Sequence, residues 1–233
     1  MSKKKSLTTS SQGVNQFLNK VASTPARKAG GDIGRLIFAM DATASREPTW
    51  DNACHLQGEM FMATAPLGGL AIQLCYYRGF MEFRALDWCE DTATLLSQMS
   101  AVKCLGGHTQ IERLLNHALQ EHTNRKLQAV VFVGDAIEEN PDTLCQLAGK
   151  LGLLNLPLFM FQEGSHPGVR SIFQQMSHLS GGAFAPFDLN SASELKQLLS
   201  AVAVYAAGGH QALLDFSKRS GSEIKRLTRQ LKD

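Results

Sequence analysis

The chain has no run of 18 or more apolar residues, so nothing in it is long enough to cross a bilayer as a helix. It has no GxxxxGK[ST] phosphate loop and no GxSxG nucleophile elbow. Gly30-Gly31-Asp32-Ile33-Gly34 precedes its strand, which is the wrong side for dinucleotide binding. No RNA-recognition or zinc-finger pattern is present, so nucleic acid is not expected as a partner. The five cysteines, Cys54, Cys75, Cys89, Cys104 and Cys145, are odd in number and lack a CxxC pair. That favours reduced thiols over a disulfide framework. No apolar stretch follows the basic start Met1-Ser2-Lys3-Lys4-Lys5, so no secretory leader is read there and a cytoplasmic location is expected.

Acidic residues are also missing from one region. Residues 1–31 carry six basic side chains and no acid, and residues 208–233 carry six basic and three acidic ones. With the whole chain at +2, residues 32–207 carry −7. A length of 233 residues with 44% apolar content suits one core with two tails. The expected division is a basic arm over 1–31, a domain over 32–207 and a basic helical tail over 208–233. Val14, Phe17, Leu18 and Val21 fall at i, i+3, i+4 and i+7, the spacing of a short docking helix over 14–21. Deleting residues 1–12, rich in lysine and serine, is expected to leave thermal stability nearly unchanged.

What is present alternates strands with helices. Leu36-Ile37-Phe38-Ala39-Met40 reads as a buried strand, followed at once by Asp41-Ala42-Thr43-Ala44-Ser45. Leu70 to Tyr77 and Phe80 to Ala85 flank Arg78-Gly79, which predicts an antiparallel hairpin with a two-residue turn. Further strands are read at Leu127–Asp135, Leu156–Gln162 and Ala183–Phe187. A helix is predicted from near Pro48 to about Ala63 and another from Thr109 to roughly Thr123. A third, ending near Ser180, carries Ile172, Phe173, Met176 and Leu179 as its apolar stripe before Gly181-Gly182 stops it. Such crossovers build an α/β doubly wound, mostly parallel sheet with helices on both faces.

Three segments carry chemistry. Asp41, Thr43 and Ser45 alternate a carboxylate and two hydroxyls where the first strand ends, and ligands bind at such strand ends. They offer only hard oxygen, which suits Mg²⁺, Mn²⁺ or Ca²⁺ rather than zinc. Gly106-Gly107-His108-Thr109 sets a hydroxyl beside a helix start, and Val130 to Gly134 runs into Asp135. Taken singly, Asp41 or Thr109 is as well explained as a helix cap. His117 and His122, five apart on one helix, face different ways and do not make a zinc pair.

Over roughly Arg35 to Ala206 this order resembles the von Willebrand factor A (VWA) domain and its metal-ion-dependent adhesion site, in an intracellular bacterial form. The resemblance implies a six-stranded sheet of order 3-2-1-4-5-6 with strand 3 antiparallel. It also implies a cation, normally Mg²⁺, held by Asp41, Thr43, Ser45, Thr109 and Asp135, the aspartates acting partly through water. An acidic side chain of a partner protein, in some relatives from an AAA+ ATPase system, would complete the shell. Two departures stand out: Thr43 replaces the commoner serine, and Gly134-Asp135-Ala136 replaces Thr/Ser-Asp-Gly. Trp50, His108 and Glu138 would lie around the site, Trp50 either as a partner contact or as a packed aromatic. The implied function is a non-enzymatic, metal-dependent interaction module. The alternative is a Mg²⁺-dependent phosphatase or phosphotransferase of haloacid-dehalogenase type using Asp41 as nucleophile. Such enzymes need a second acid two residues on, where this chain has Thr43.

Overall fold

The computed structural model describes residues 33–48, 50–51, 54, 69–187 and 192–219. The arm 1–31, its candidate helix 14–21, most of the helix expected over 48–63 and the last residues of the tail lie outside them. Six strands form one sheet: β1 (Gly34–Asp41), β2 (Leu70–Arg78), β3 (Glu82–Ala85), β4 (Ala129–Gly134), β5 (Leu158–Glu163) and β6 (Phe184–Phe187). Their order is β3-β2-β1-β4-β5-β6, with only the β2–β3 pair antiparallel. The doubly wound architecture and the strand order expected from the sequence are both found.

All eight residues of β1 are buried, because helices cover both faces of the sheet. The two-residue period then sends alternate side chains to different cores. Leu36, Phe38 and Met40 join one core with Leu95 and Met99 of α1 (Thr92–Ser100) and Leu199 to Ala206 of α5 (Ala192–Arg219). Ile37 and Ala39 join the other, built with α2 (Ile111–Asn124), α3 (Pro141–Leu153) and α4 (Pro167–Leu179). Burying a Leu, Ile or Phe is worth about 1.5–3 kcal/mol, so these strands anchor the fold.

Three local expectations need correcting. The hairpin loop has three residues, not two: Arg78 pairs with Glu82, leaving Gly79, Phe80 and Met81 to turn the chain. Gly79 takes φ +57°, which a side chain rarely adopts. Leu179 leaves the predicted stripe and is 40% exposed, since it ends α4 where the chain turns away. Thr109 is not a helix cap: α2 starts at Ile111, with Gln110 in the capping position. Helical residues at Glu47, Pro48, Trp50, Asp51 and Cys54 follow β1. Helix α5 breaks at Gly209 (φ +73°), and past the break Ala212 and Phe216 still pack against the first core.

Candidate functional site

Parallel pairing of β1 with both β2 and β4 brings three loops to one edge of the sheet. Asp41 ends β1 beside Tyr77 of β2, its register partner. On the other side a Cβ placed on Gly134 would lie 3.6 Å from that of Asp41. The DATAS loop and the Gly134-Asp135 turn therefore meet. The Gly106-Gly107 loop closes over them: Leu105 N–H donates to Ala42 O at 3.0 Å, and His108 N–H to Gly79 O at 3.1 Å.

Asp41 is only 1% exposed, and each of its oxygens accepts a bond. Thr43 N–H donates to Oδ1 at 2.7 Å and the Tyr77 hydroxyl to Oδ2 at 3.2 Å. Burial pushes its carboxyl above the usual carboxylate range and the charge of Asp135 adds to this, while the Thr43 bond pulls the other way. Tyr77, fully enclosed and facing Asp41 and Glu139, is pushed well above the normal phenol value and remains a neutral donor. Thr43 makes no side-chain cap bond to the short 3₁₀ turn Ala44–Arg46. Its hydroxyl lies 3.5 Å from that of exposed Ser45, so these two oxygens face one region.

Thr109 is 7% exposed and engaged differently. Its hydroxyl accepts Glu138 N–H at 2.9 Å and donates to the Glu139 carboxylate, while its own N–H donates to Glu138 Oε2 at 2.8 Å. Glu139 also accepts Glu112 N–H at 3.1 Å, fixing the loop after β4 onto the start of α2. Asp135 Oδ2 lies 3.0 Å from Arg46 Nη1, and Glu163, at the end of β5, pairs with Nη2 of the same guanidinium. Arg46 is 3% exposed, so a cation already sits inside the edge that the oxygen donors define.

The sequence-predicted site residues thus share one edge but are not equally available. Asp41, Thr43 and Ser45 form one group, whereas Thr109 is tied to Glu138 and Glu139, and Asp135 to Arg46. Among the described residues no three His, Cys, Asp or Glu side chains form a metal-binding group, so an ion here would lean on hydroxyl oxygens. Hydroxyl and carboxylate oxygens are the donor chemistry that a hard cation takes. Trp50 is not a surface contact: it is 3% exposed and donates its ring N–H to Met99 O at 2.9 Å. His108 and Glu138 are exposed and paired at 3.0 Å. His117 bonds Gln73 and His122 accepts Leu127 N–H, so the two imidazoles serve separate structural roles. Sequence reasoning missed Tyr77, Glu139, Arg46 and Glu163. The signals lay in a charged residue directly after Ser45 and in the acids after Asp135 and Phe161.

No protein-family model matches the chain, and no curated protein sequence does. Solved structures do match it. A von Willebrand factor type A protein from Catenulispora acidiphila is 13% identical with a TM-score of 0.60, over 73% of this chain and 42% of that one. The VWA domain of SpRpn10 is 15% identical with a TM-score of 0.54, over 76% and 98%. Proximal thread matrix protein 1 from the mussel byssus, with a zinc-occupied MIDAS motif, is 13% identical with a TM-score of 0.58, over 73% and 46%. The chain therefore has the von Willebrand factor A fold. It spans less than half the length of the Catenulispora protein. Among the described residues no helix is long and apolar enough to cross a membrane.

Proposed function

We propose that this protein is a metal-dependent protein-interaction module whose contact face is the loop edge between β1 and β4. Asp41, Thr43 and Ser45 would hold a divalent cation, Mg²⁺ first and Mn²⁺ or Ca²⁺ as substitutes, with Thr109 and Asp135 completing the protein's share. The observation that carries this reading is the meeting of three loops, Asp41–Ser45, Gly106–Thr109 and Asp135–Glu139, at one edge of the fold. The zinc-occupied motif named for the mussel protein supports a metal at this position of the fold. A partner carboxylate would complete the shell.

Charge makes the cation decisive. Asp41, Asp135, Glu138, Glu139 and Glu163 outnumber Arg46, the cation already at this edge, so an acidic side chain arriving without a further cation meets net negative charge. The rim adds apolar contact: Phe80 and Met81 are 70% and 74% exposed, and Phe80 packs on His108 with ring centroids 5.1 Å apart. The AAA+ association implied by the sequence resemblance finds no support in the comparisons. The phosphatase alternative is not favoured, because Asp41 is enclosed with both oxygens bonded, a poor posture for attack on phosphorus.

Titration calorimetry of the full chain tests the reading. The wild type should give a Mg²⁺ or Mn²⁺ heat that Asp41→Ala and Thr109→Ala lack. A partner recovered from lysate in Mg²⁺ should be released by chelator. Equal heats in all three proteins would remove the site.

A further inference from the structure

The least expected group at the loop edge is Arg46. It directly follows the DATAS segment, is 3% exposed, and spans two carboxylates from different strands, Asp135 after β4 and Glu163 at the end of β5. Their side chains are 30% and 10% exposed, so the pairing lies largely out of water, where charge–charge interactions are poorly screened. The fork of a guanidinium suits it to bridging two carboxylates, which a lysine could not do as well.

Resting on the metal reading above, we propose that Arg46 is a resident counter-cation that competes with the divalent ion for Asp135, with Glu163 as the carboxylate that keeps Arg46 when Asp135 is released. The guanidinium and the ion both need Asp135, and two cations packed around one carboxylate repel each other. While Arg46 keeps its 3.0 Å contact to Oδ2, Asp135 offers the ion less charge, directly or through water. Arg46 need not enter water to loosen that contact. Glu163 already holds the other arm of the fork, so Arg46 has a charge partner in either state. The consequence is a site of weakened metal affinity whose apo form is partly neutralised from within. In the apo form, Asp135 and Glu163 each keep a cationic partner.

Calorimetric titration of the full chain with Mn²⁺ at one ionic strength separates the possibilities. Arg46→Met removes the competitor at similar volume and should bind the ion roughly tenfold tighter than wild type. Glu163→Gln removes the second carboxylate, shifts Arg46 towards Asp135, and should bind several-fold more weakly. Circular dichroism confirms that each variant is folded. Should Arg46→Met fail to fold, the weakening in Glu163→Gln still supports the competition, and unchanged affinity there overturns it. Equal affinities in all folded proteins would leave the metal site standing and remove Arg46 from it. No heat from any of them removes the metal site and the competition together.

Discussion

Asp41 works against the stability of the domain it serves. Its carboxyl is raised by burial and by the nearby charge of Asp135, so the folded state holds a proton more readily than the unfolded chain does. For an acid raised in this way, stability is highest below the unfolded carboxylate range. It declines as pH climbs from that range through the raised folded value. In chelator at pH 7, Asp41→Asn should therefore melt at a higher temperature than wild type, and the gap should close as pH falls towards about 4. Melting curves across that range check it, and a wild type that melts higher at pH 7 would mean the bonds from Thr43 and Tyr77 outweigh burial. The same substitution should abolish the metal heat, so stability and binding move in opposite directions, as is common where a site is built from enclosed charge. Trp50 gives the contrasting case. Trp50→Phe deletes the bond to Met99 O and should cost about 1–3 kcal/mol in urea unfolding while leaving metal affinity untouched.

Among the elements, the hairpin loop and the glycine loop act as one piece. A Cβ on Gly107 would lie 2.0 Å from Gly79 O, so the two backbones touch and only glycine fits. Gln110 Nε2 donates to Arg78 O at 3.2 Å, and Arg113 donates to Met81 O at 2.8 Å, holding both ends of the turn. Gly107→Ala should cost about 1–3 kcal/mol and, by displacing the loop before Thr109, weaken the Mn²⁺ heat as well. A variant of wild-type stability and affinity would show that the loops are independent. This junction also marks where sequence reading runs short. Apolar runs announced β1, β4 and β5 because a strand covered on both faces buries nearly every side chain, leaving polar residues such as Arg35, Asp41 and Gln162 near the strand ends. The turn length at Gly79 was not legible, since a glycine serves two- and three-residue turns alike. Helix α1 was not read at all: only Leu95 and Met99 of it are buried, too few to stand out as a stripe. The motif placed Asp41, Thr43, Ser45, Thr109 and Asp135 at one edge. Who bonds whom there depends on Arg46, Tyr77, Glu139 and Glu163, which come together only through strand order.

For the whole molecule, the two hydrophobic cores are built from sheet and helix side chains, with Ala42 and Tyr77 of the loop edge joining them, and backbone hydrogen bonds tie the described loops together. Chelator should therefore shift the melting temperature by no more than about 2 °C at trace metal, since a ligand far below its Kd adds little. Global unfolding in chelator would make the ion structural instead. The sheet's two outer strands have a consequence of another kind. Strand β3 is four residues long and carries Glu82 and Arg84, with Arg78 Nε 2.9 Å from Glu82. Strand β6 is equally short and includes Pro186, which has no amide hydrogen to donate. Neither flank presents a long, flat, apolar row of free amides, the template on which chains zip together edge to edge. The sheet is thus poorly suited to recruiting copies of this chain by strand addition.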